Sequence, residues 1–306
     1  MSLLNANNIK FRNFQYFLAV AETRSFTRAA EGCHVTQSTL SSGIKDLETH
    51  LGHRLFDRSH REISLTAFGE KILPDIRDIL QKSNNVLTQS RTSNGMYAGP
   101  FRFGVIPTIA PYALPHILPA LNEKYPGLEL ILNENMSHVL VENVKNGSLD
   151  AALLAFPYDI EDLDHRILFE EGFYLLRPKS DETPPILKSD EIDVDKLLLL
   201  DDGHCLRDHA LALCTQQDEA TRKTFRATSL ITLVQMVRHG YGTTLLPEMA
   251  VRELDLSQEL DAIPVQGPSS KRRIGLIWRK GSPLGDMIEK IGDEIQKIEK
   301  SRPIRH

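Results

Sequence analysis

The chain of 306 residues holds only three cysteines. That is too few, and odd in number, for a disulfide-stapled secreted scaffold, so any disulfide here would act as a switch. No uncharged apolar run approaches the roughly 18 residues that a membrane helix needs. The first residues, Met1-Ser2-Leu3-Leu4-Asn5, form neither a basic nor an apolar leader. A cytoplasmic protein without membrane contact is the expectation. Cys-x-x-Cys spacing is absent as well, and with it the commonest zinc pattern.

What is present suits folded domains. Apolar residues make up 41% and charged residues 25% of the chain, a balance that excludes disorder and a continuous coiled coil. The length exceeds one typical domain, so two joined by a linker are expected. The net charge of −5 hides a division: residues 1–95 carry 12 Lys+Arg against 9 Asp+Glu, or +3, and residues 96–306 carry 24 against 32, or −8. Contact with phosphate, if there is any, belongs to the N-terminal third.

That third reads as helical. Phe14, Phe17, Leu18 and Ala21 recur at helical spacing, and a second short helix opens after Ser25 with Phe26, Ala29, Ala30 and Cys33 on its inward face. Cys33 then fills core. A third helix from Val35 to Glu48 turns Leu40, Ile44 and Leu47 to one side and Gln37, Ser38, Thr39, Ser42 and Lys45 to the other. A short helix, a tight turn and a helix whose outer face carries small hydrogen-bonding side chains suit the major groove. There Gln pairs bidentately with adenine, and Ser or Thr reaches base or phosphate. The same spacing also fits a plain solvated face.

The run from Phe14 to Gly69 carries Ser25-Phe26-Thr27-Arg28-Ala29-Ala30, Val35-Thr36-Gln37, Leu51-Gly52, Leu55-Phe56, Arg58 and Leu65-Thr66-Ala67-Phe68-Gly69. It resembles the winged helix-turn-helix of LysR-type transcriptional regulators. The resemblance implies a recognition helix over Thr36–Glu48, contacting double-stranded promoter DNA, and a wing over Asp57–Leu65 whose Arg58, His60 and Arg61 follow the phosphate backbone.

Thr66 is placed to cap the next helix, where Phe68, Ile72, Ile76, Ile79 and Leu87 form a stripe suited to an intermolecular contact. By resemblance this linker helix pairs two subunits. Pro74 should kink it or remove a backbone bond. Ser90–Gly99, rich in Ser, Asn and Gly, reads as a hinge. The expected division is a DNA-binding domain over 1–66, a linker helix and hinge over 67–98 and a regulatory domain over 99–306.

From Phe101 short apolar strands alternate with helices: strands over Phe101–Ile106, Leu128–Asn133, Asp150–Ala155 and Arg273–Trp278, and a last helix over Leu284–Lys300. This is α/β patterning and predicts a mainly parallel sheet. The resemblance implies a two-lobed α/β effector domain, similar to periplasmic binding proteins, with a cleft between the lobes.

Cys205 and Cys214 stand nine residues apart, the first beside His204 and two residues before Arg207. A neighbouring cation or N–H donor favours the thiolate that attacks peroxide, whereas Cys214, after Ala212-Leu213, reads as buried and unactivated. If this segment is helical the two sulfurs lie beyond the roughly 7 Å between Cα atoms that a disulfide allows, so bonding must unwind it. Two unrelated core thiols, or a metal site from His204, Cys205, His209 and Cys214, also fit these residues.

Gly203-His204-Cys205-Leu206-Arg207-Asp208 with Cys214, Phe225-Arg226-Ala227-Thr228-Ser229-Leu230 and Arg279-x-Gly281-Ser282-Pro283-Leu284 resemble the peroxide-sensing branch of the LysR class. The resemblance covers residues 11–285. It implies a non-enzymatic activator without cofactor or metal, in which hydrogen peroxide oxidises Cys205 and Cys214 resolves it as a disulfide. It matches Thr108 to a peroxide-binding hydroxyl, and His204, Arg207, Asp208 and Arg272 to polar neighbours of the sulfur. Ser137 stands where the branch more often has threonine. RNA polymerase and a homotetramer built as a dimer of dimers are the implied partners. A small metabolite bound between the lobes of a LysR-type regulator is the alternative signal, and a thiol peroxidase the rival activity. Thr108 itself stands at a strand end opening a helix, where backbone N–H groups favour a polar ligand, although it also fits a plain helix cap.

Overall fold

The computed structural model describes residues 9–57, 63–90, 92–93, 96–180, 182–213, 226–254, 256 and 259–302. Two compact units divide between Gln89 and Ser90.

In the first, α1 (Phe11–Thr23), α2 (Phe26–Gly32) and α3 (Gln37–Leu51) pack on one another. Ser25 caps α2 by accepting from Arg28 N, and Thr36 caps α3 by accepting from Thr39 N. Each cap satisfies an amide that its first helical turn leaves open. Phe17, Leu40, Ile44 and Leu47 are fully buried, as the spacing predicts, but on α1 Tyr16 and Val20 join Phe17 in the core while Phe14, Leu18 and Ala21 are half-buried. Cys33 is half-buried against this core rather than inside it. Gly43 lets α1 and α3 touch, since a Cβ there would stand 2.6 Å from the Tyr16 ring. The pair β1 (Phe56–Asp57) and β2 (Ser64–Leu65) runs antiparallel. Arg58, His60 and Arg61 lie outside the described residues.

The linker helix corrects one expectation. Helix α4 (Ala67–Ser90) runs on through Pro74. Its apolar stripe divides: Ile76 and Leu80 are buried in the core of the N-terminal unit, with Phe68 and Ile72 packed against it. Ile79 is 42%, Val86 66% and Leu87 55% exposed. The four-residue step from 68 to 80 keeps one face on the unit's own core, so the exposed apolar side chains of α4 are Ile79, Val86 and Leu87, further along the helix.

The second unit opens with the antiparallel pair β3 (Thr92–Ser93) and β4 (Met96–Tyr97). Next come β5 (Gly99–Val105), α5 (Ala110–Lys124), β6 (Leu128–Glu134), α6 (Ser137–Lys145) and β7 (Ala151–Phe156). After the 16-residue strand β8 (Leu163–Pro178) follow β9 (Leu187–Lys188), β10 (Leu199–Leu200) and α7 (Cys205–Leu213). The remainder is β11 (Arg226–Ala227), α8 (Leu230–Arg238), β12 (Thr244–Pro247), α9 (Glu248–Glu253), β13 (Leu260–Gln266), β14 (Lys271–Arg279) and α10 (Gly285–Ser301).

The main sheet has the order β6-β5-β7-β14-β8-β13-β9, with β12 also on β8. It is mixed, not mainly parallel: β5 pairs in parallel with β6 and β7, but β14 is antiparallel to both β7 and β8, and β8 is antiparallel to β12 and β13. The reversal comes from β14, which returns from late in the chain and inserts between β7 and β8, themselves codirectional. The long β8 carries the fold from one lobe to the next, its first half on β14 and its second on β12 and β13.

Candidate functional site

Register places the centre of the site. Arg272 of β14 stands opposite Glu171 of β8 in the antiparallel ladder. Both are buried, at 1% and 5% exposed. Arg272 Nε and Nη2 each lie 2.8 Å from Glu171 Oε1, while Glu171 Oε2 accepts from Met249 N at 2.9 Å, at the start of α9. The outer edge of the guanidinium turns to the link after β5, where Nη1 donates to Thr108 Oγ1 at 2.9 Å and Nη2 to the Thr108 carbonyl at 3.2 Å. Five donors in a fixed fork let arginine hold both partners at once. Thr108 does not cap α5; that position is Ile109, without a side-chain cap bond.

Cys205 opens α7 and is 4% exposed. Burial pushes its thiol up. Arg272 and then the nearby Ser137 hydroxyl pull it down, and the Asp208 carboxylate pushes it further up. Ser137, first residue of α6, is buried, and its Oγ has no aligned hydrogen-bond partner among the described residues. Its tie to the sulfur is therefore one of proximity. The structure thus gathers Thr108, Ser137, Cys205 and Arg272 into one site.

The sequence neighbours contribute differently from expectation. His204 is 5% exposed, and burial lowers its pKa, which favours the ring as an N–H donor over a cation. Arg207 pairs with Asp202 at 2.8 Å. Asp208 opposes the thiolate, because like charges repel. The positive charge that acts on the thiol is that of Arg272, 67 positions along the chain from Cys205. Gly203, at φ 93°, brings the turn close to α6: a Cβ there would meet Met136 Sδ at 2.9 Å. Cys214 lies outside the described residues, so neither its burial nor its distance from Cys205 is on view. Among the described residues no three His, Cys, Asp or Glu side chains are grouped to hold a metal ion.

Two residues were missed by sequence reasoning. Glu171 has no local signal, because its role depends on a partner that the sheet register supplies. His209 entered only as a metal candidate. It sits one helical turn after Cys205, 8% exposed, with its pKa lowered to about 4 by burial and by Arg272.

The N-terminal unit offers a second surface. Thr36, Gln37, Ser38, Thr39, Ser42 and Lys45 are all exposed along α3. Ser38, Thr39 and Ser42 border an open groove of about 510 Å³ together with Lys10 and Arg12. The Thr36 hydroxyl is occupied as the cap and also bonds Ser38 Oγ and Thr39 Oγ1, at 2.9 and 2.8 Å. It therefore shapes the start of the helix. No helix among the described residues is long and apolar enough to cross a membrane.

Comparison with known proteins is consistent along the chain. Residues 11–70 match the family described as bacterial regulatory helix-turn-helix protein, lysR family, and residues 94–297 the LysR substrate binding domain. A hydrogen peroxide-inducible genes activator of Dickeya chrysanthemi is 36% identical over 293 residues, covering 94% of this chain and 95% of the relative. The DNA-binding transcriptional dual regulator OxyR of Escherichia coli K12 has the same identity and coverage. Among solved structures, a full-length OxyR variant from Pseudomonas aeruginosa superimposes with a TM-score of 0.76 at 32% identity, over 94% of this chain and 98% of that one. A hydrogen-peroxide-bound OxyR cysteine mutant of Corynebacterium glutamicum gives 0.63 at 30% identity, over 96% and 94%.

Proposed function

This chain belongs to the LysR family of bacterial transcription regulators, and from that premise we propose that it activates transcription in response to hydrogen peroxide. The observation that carries the reading is the convergence on Cys205 of an arginine bound to a threonine hydroxyl and of a buried serine hydroxyl. A buried thiol with a fixed cation is equipped to become thiolate when a small oxidant reaches it. Peroxide takes Cys205 to the sulfenic acid, releasing water, and Cys214 then condenses with it to the disulfide, releasing a second water. The peroxide-inducible activators that share 36% identity over 94% of the chain support the same reading.

Residues 1–66 bind double-stranded promoter DNA through Gln37, Ser38, Thr39, Ser42 and Lys45 of α3, with Arg58 and Arg61 on the phosphates. Residues 67–98 join two subunits, and 99–306 sense the oxidant. The assembly is a dimer of dimers that engages RNA polymerase in the cytoplasm, and it senses rather than turns over peroxide.

The deciding experiment is a reporter driven by a peroxide-inducible promoter. Cys205→Ser is expected to abolish induction, while mass spectrometry of the wild type after micromolar peroxide finds Cys205 oxidised. Full induction in the Cys205→Ser protein would instead make a small metabolite the signal. Hundreds of peroxides consumed per chain with a thiol reductant would make the protein a peroxidase.

A further inference from the structure

Three buried polar atoms on Cys205's own turn and helix and on α6 have no hydrogen-bond partner among the described residues: Ser137 Oγ, Nε2 of His204 and Nδ1 of His209. His209 follows Cys205 by four positions on α7, which stacks the two side chains on one helix face about one turn apart. The same Arg272 charge acts on the Cys205 thiol and on the His209 ring, so all three share one neighbourhood. The Phe173 ring, 6.0 Å away between centroids, lies tilted against the imidazole. A buried donor or acceptor without a partner is costly. Such groups gathered in the neighbourhood of one thiol mark a place that a small polar molecule completes.

We propose that His209 is a catalytic residue of peroxide sensing: its imidazole hydrogen-bonds the bound peroxide and, with the Ser137 hydroxyl, orients the O–O bond for attack by Cys205. The proposal rests on the peroxide-sensing reading above and adds a residue to it. Hydrogen peroxide has two O–H donors and lone pairs on both oxygens, so its best partners can both give and take a hydrogen bond. A neutral imidazole and a hydroxyl each do so. His209 stays neutral because burial and Arg272 hold its pKa at about 4.

The same low value excludes the role of general base. The Cys205 thiol is held above its ordinary value of 9.0, so moving its proton onto His209 would run steeply uphill. The thiolate forms under the field of Arg272. It attacks the nearer oxygen, the O–O bond breaks, and the departing hydroxide takes up the proton that the thiol released and leaves as water. Sulfur is oxidised to the sulfenic acid and the peroxide is reduced. Throughout, His209 holds the two oxygens in line.

The test compares two reactions of Cys205 in the full-length chain. One is the rate of sulfenic acid formation with hydrogen peroxide, trapped with dimedone and read on the Cys205 peptide. The other is the rate of alkylation by iodoacetamide at the same pH, which needs thiolate but no peroxide geometry. His209→Leu, close in volume and apolar, is expected to slow sulfenylation about five- to tenfold, the worth of one or two ordinary hydrogen bonds, with alkylation unchanged. His209→Gln, which can still give and take a hydrogen bond, is expected to recover most of the rate. Equal sulfenylation in His209→Leu and the wild type overturns the proposal. Parallel loss of both reactions in His209→Leu, without recovery in His209→Gln, overturns it too and leaves His209 a packing residue. A wild type that alkylates but is never sulfenylated overturns the sensing reading itself.

Discussion

Arg272 Nη1 donates to the Thr108 hydroxyl at 2.9 Å, and the opposite edge of the same guanidinium is held by Glu171 at 2.8 Å. The cation that acts on Cys205 is therefore fixed from two strands and a turn. Lysine is a single point charge and cannot bridge Glu171 and Thr108 together. Arg272→Lys is expected to raise the pH midpoint of Cys205 alkylation and to destabilise the regulatory unit, because a buried carboxylate loses part of its pairing, at a cost of about 1–3 kcal/mol. The alkylation rate measured across pH 6 to 10 checks this. An unchanged midpoint would remove Arg272 as a charge that offsets the burial of the thiol.

His209 gives a pH dependence with a definite sign. Its folded pKa of about 4 lies below the ordinary 6.5, so between those values the unfolded chain binds a proton that the folded one refuses. Stability from this group is complete above about pH 6.5 and lost as pH falls toward 4; the gap corresponds to about 3 kcal/mol as an upper bound. His204 is shifted in the same direction by burial. Urea midpoints of the wild type should fall between pH 7 and 5, and less so in His209→Gln. The same slope in both proteins would mean that the ring titrates freely.

The division of the α4 stripe separates fold from assembly. Ile76→Glu is expected to unfold the N-terminal unit, since Ile76 is 3% exposed within its core and an unpaired charge there has no solvation. Ile79→Glu or Val86→Glu should leave the unit folded and weaken subunit pairing, because both side chains are exposed. Sedimentation and circular dichroism together distinguish the cases. A soluble, folded monomer from Ile76→Glu would place the subunit contact at the unit's own core.

On the α3 face, Gln37→Ala and Ser38→Ala are expected to narrow the gap between operator and random DNA, each by about 1–3 kcal/mol where a base edge is read. Arg58→Ala should weaken all DNA alike and reduce the slope of log affinity on log salt by about 1. Equal loss on operator and random DNA in Gln37→Ala would take the residue off the bases.

Local features were legible in the residues: the caps Ser25 and Thr66 and the buried triplet Leu40, Ile44 and Leu47 follow from spacing and side-chain chemistry; that Thr36 caps α3, which therefore starts at Gln37 and not at Val35, did not. Pairings set by sheet register were not. Glu171 and Arg272 are 101 positions apart and meet only because β8 and β14 are antiparallel. His204 and Arg207 drew the activating role by adjacency to Cys205. Burial keeps the first neutral, and Asp202 engages the second. The stripe on α4 could not show by periodicity alone where its own core ends, because the same four-residue step serves an internal and an external partner.

The disulfide makes the most demanding prediction. Helix α7 spans Cys205–Leu213, eight steps of 1.5 Å or about 12 Å of rise, and one further peptide step of about 3.8 Å cannot bring residue 214 within the roughly 7 Å that a disulfide needs. Bonding Cys205 to Cys214 must therefore unwind α7. The covalent route suits a full switch: inverting a two-state equilibrium from 1:99 to 99:1 takes about 5.5 kcal/mol, whereas ordinary allosteric ligands supply about 1–3. For a two-electron couple 5.5 kcal/mol is about 120 mV. Hydrogen exchange should show the amides of 206–213 protected in the reduced protein and losing that protection on oxidation. Cys214→Ser should still form the sulfenic acid at Cys205 but keep α7 protected and leave the promoter silent. A verified Cys205–Cys214 disulfide with α7 equally protected in both redox states would show that the helix does not carry the switch.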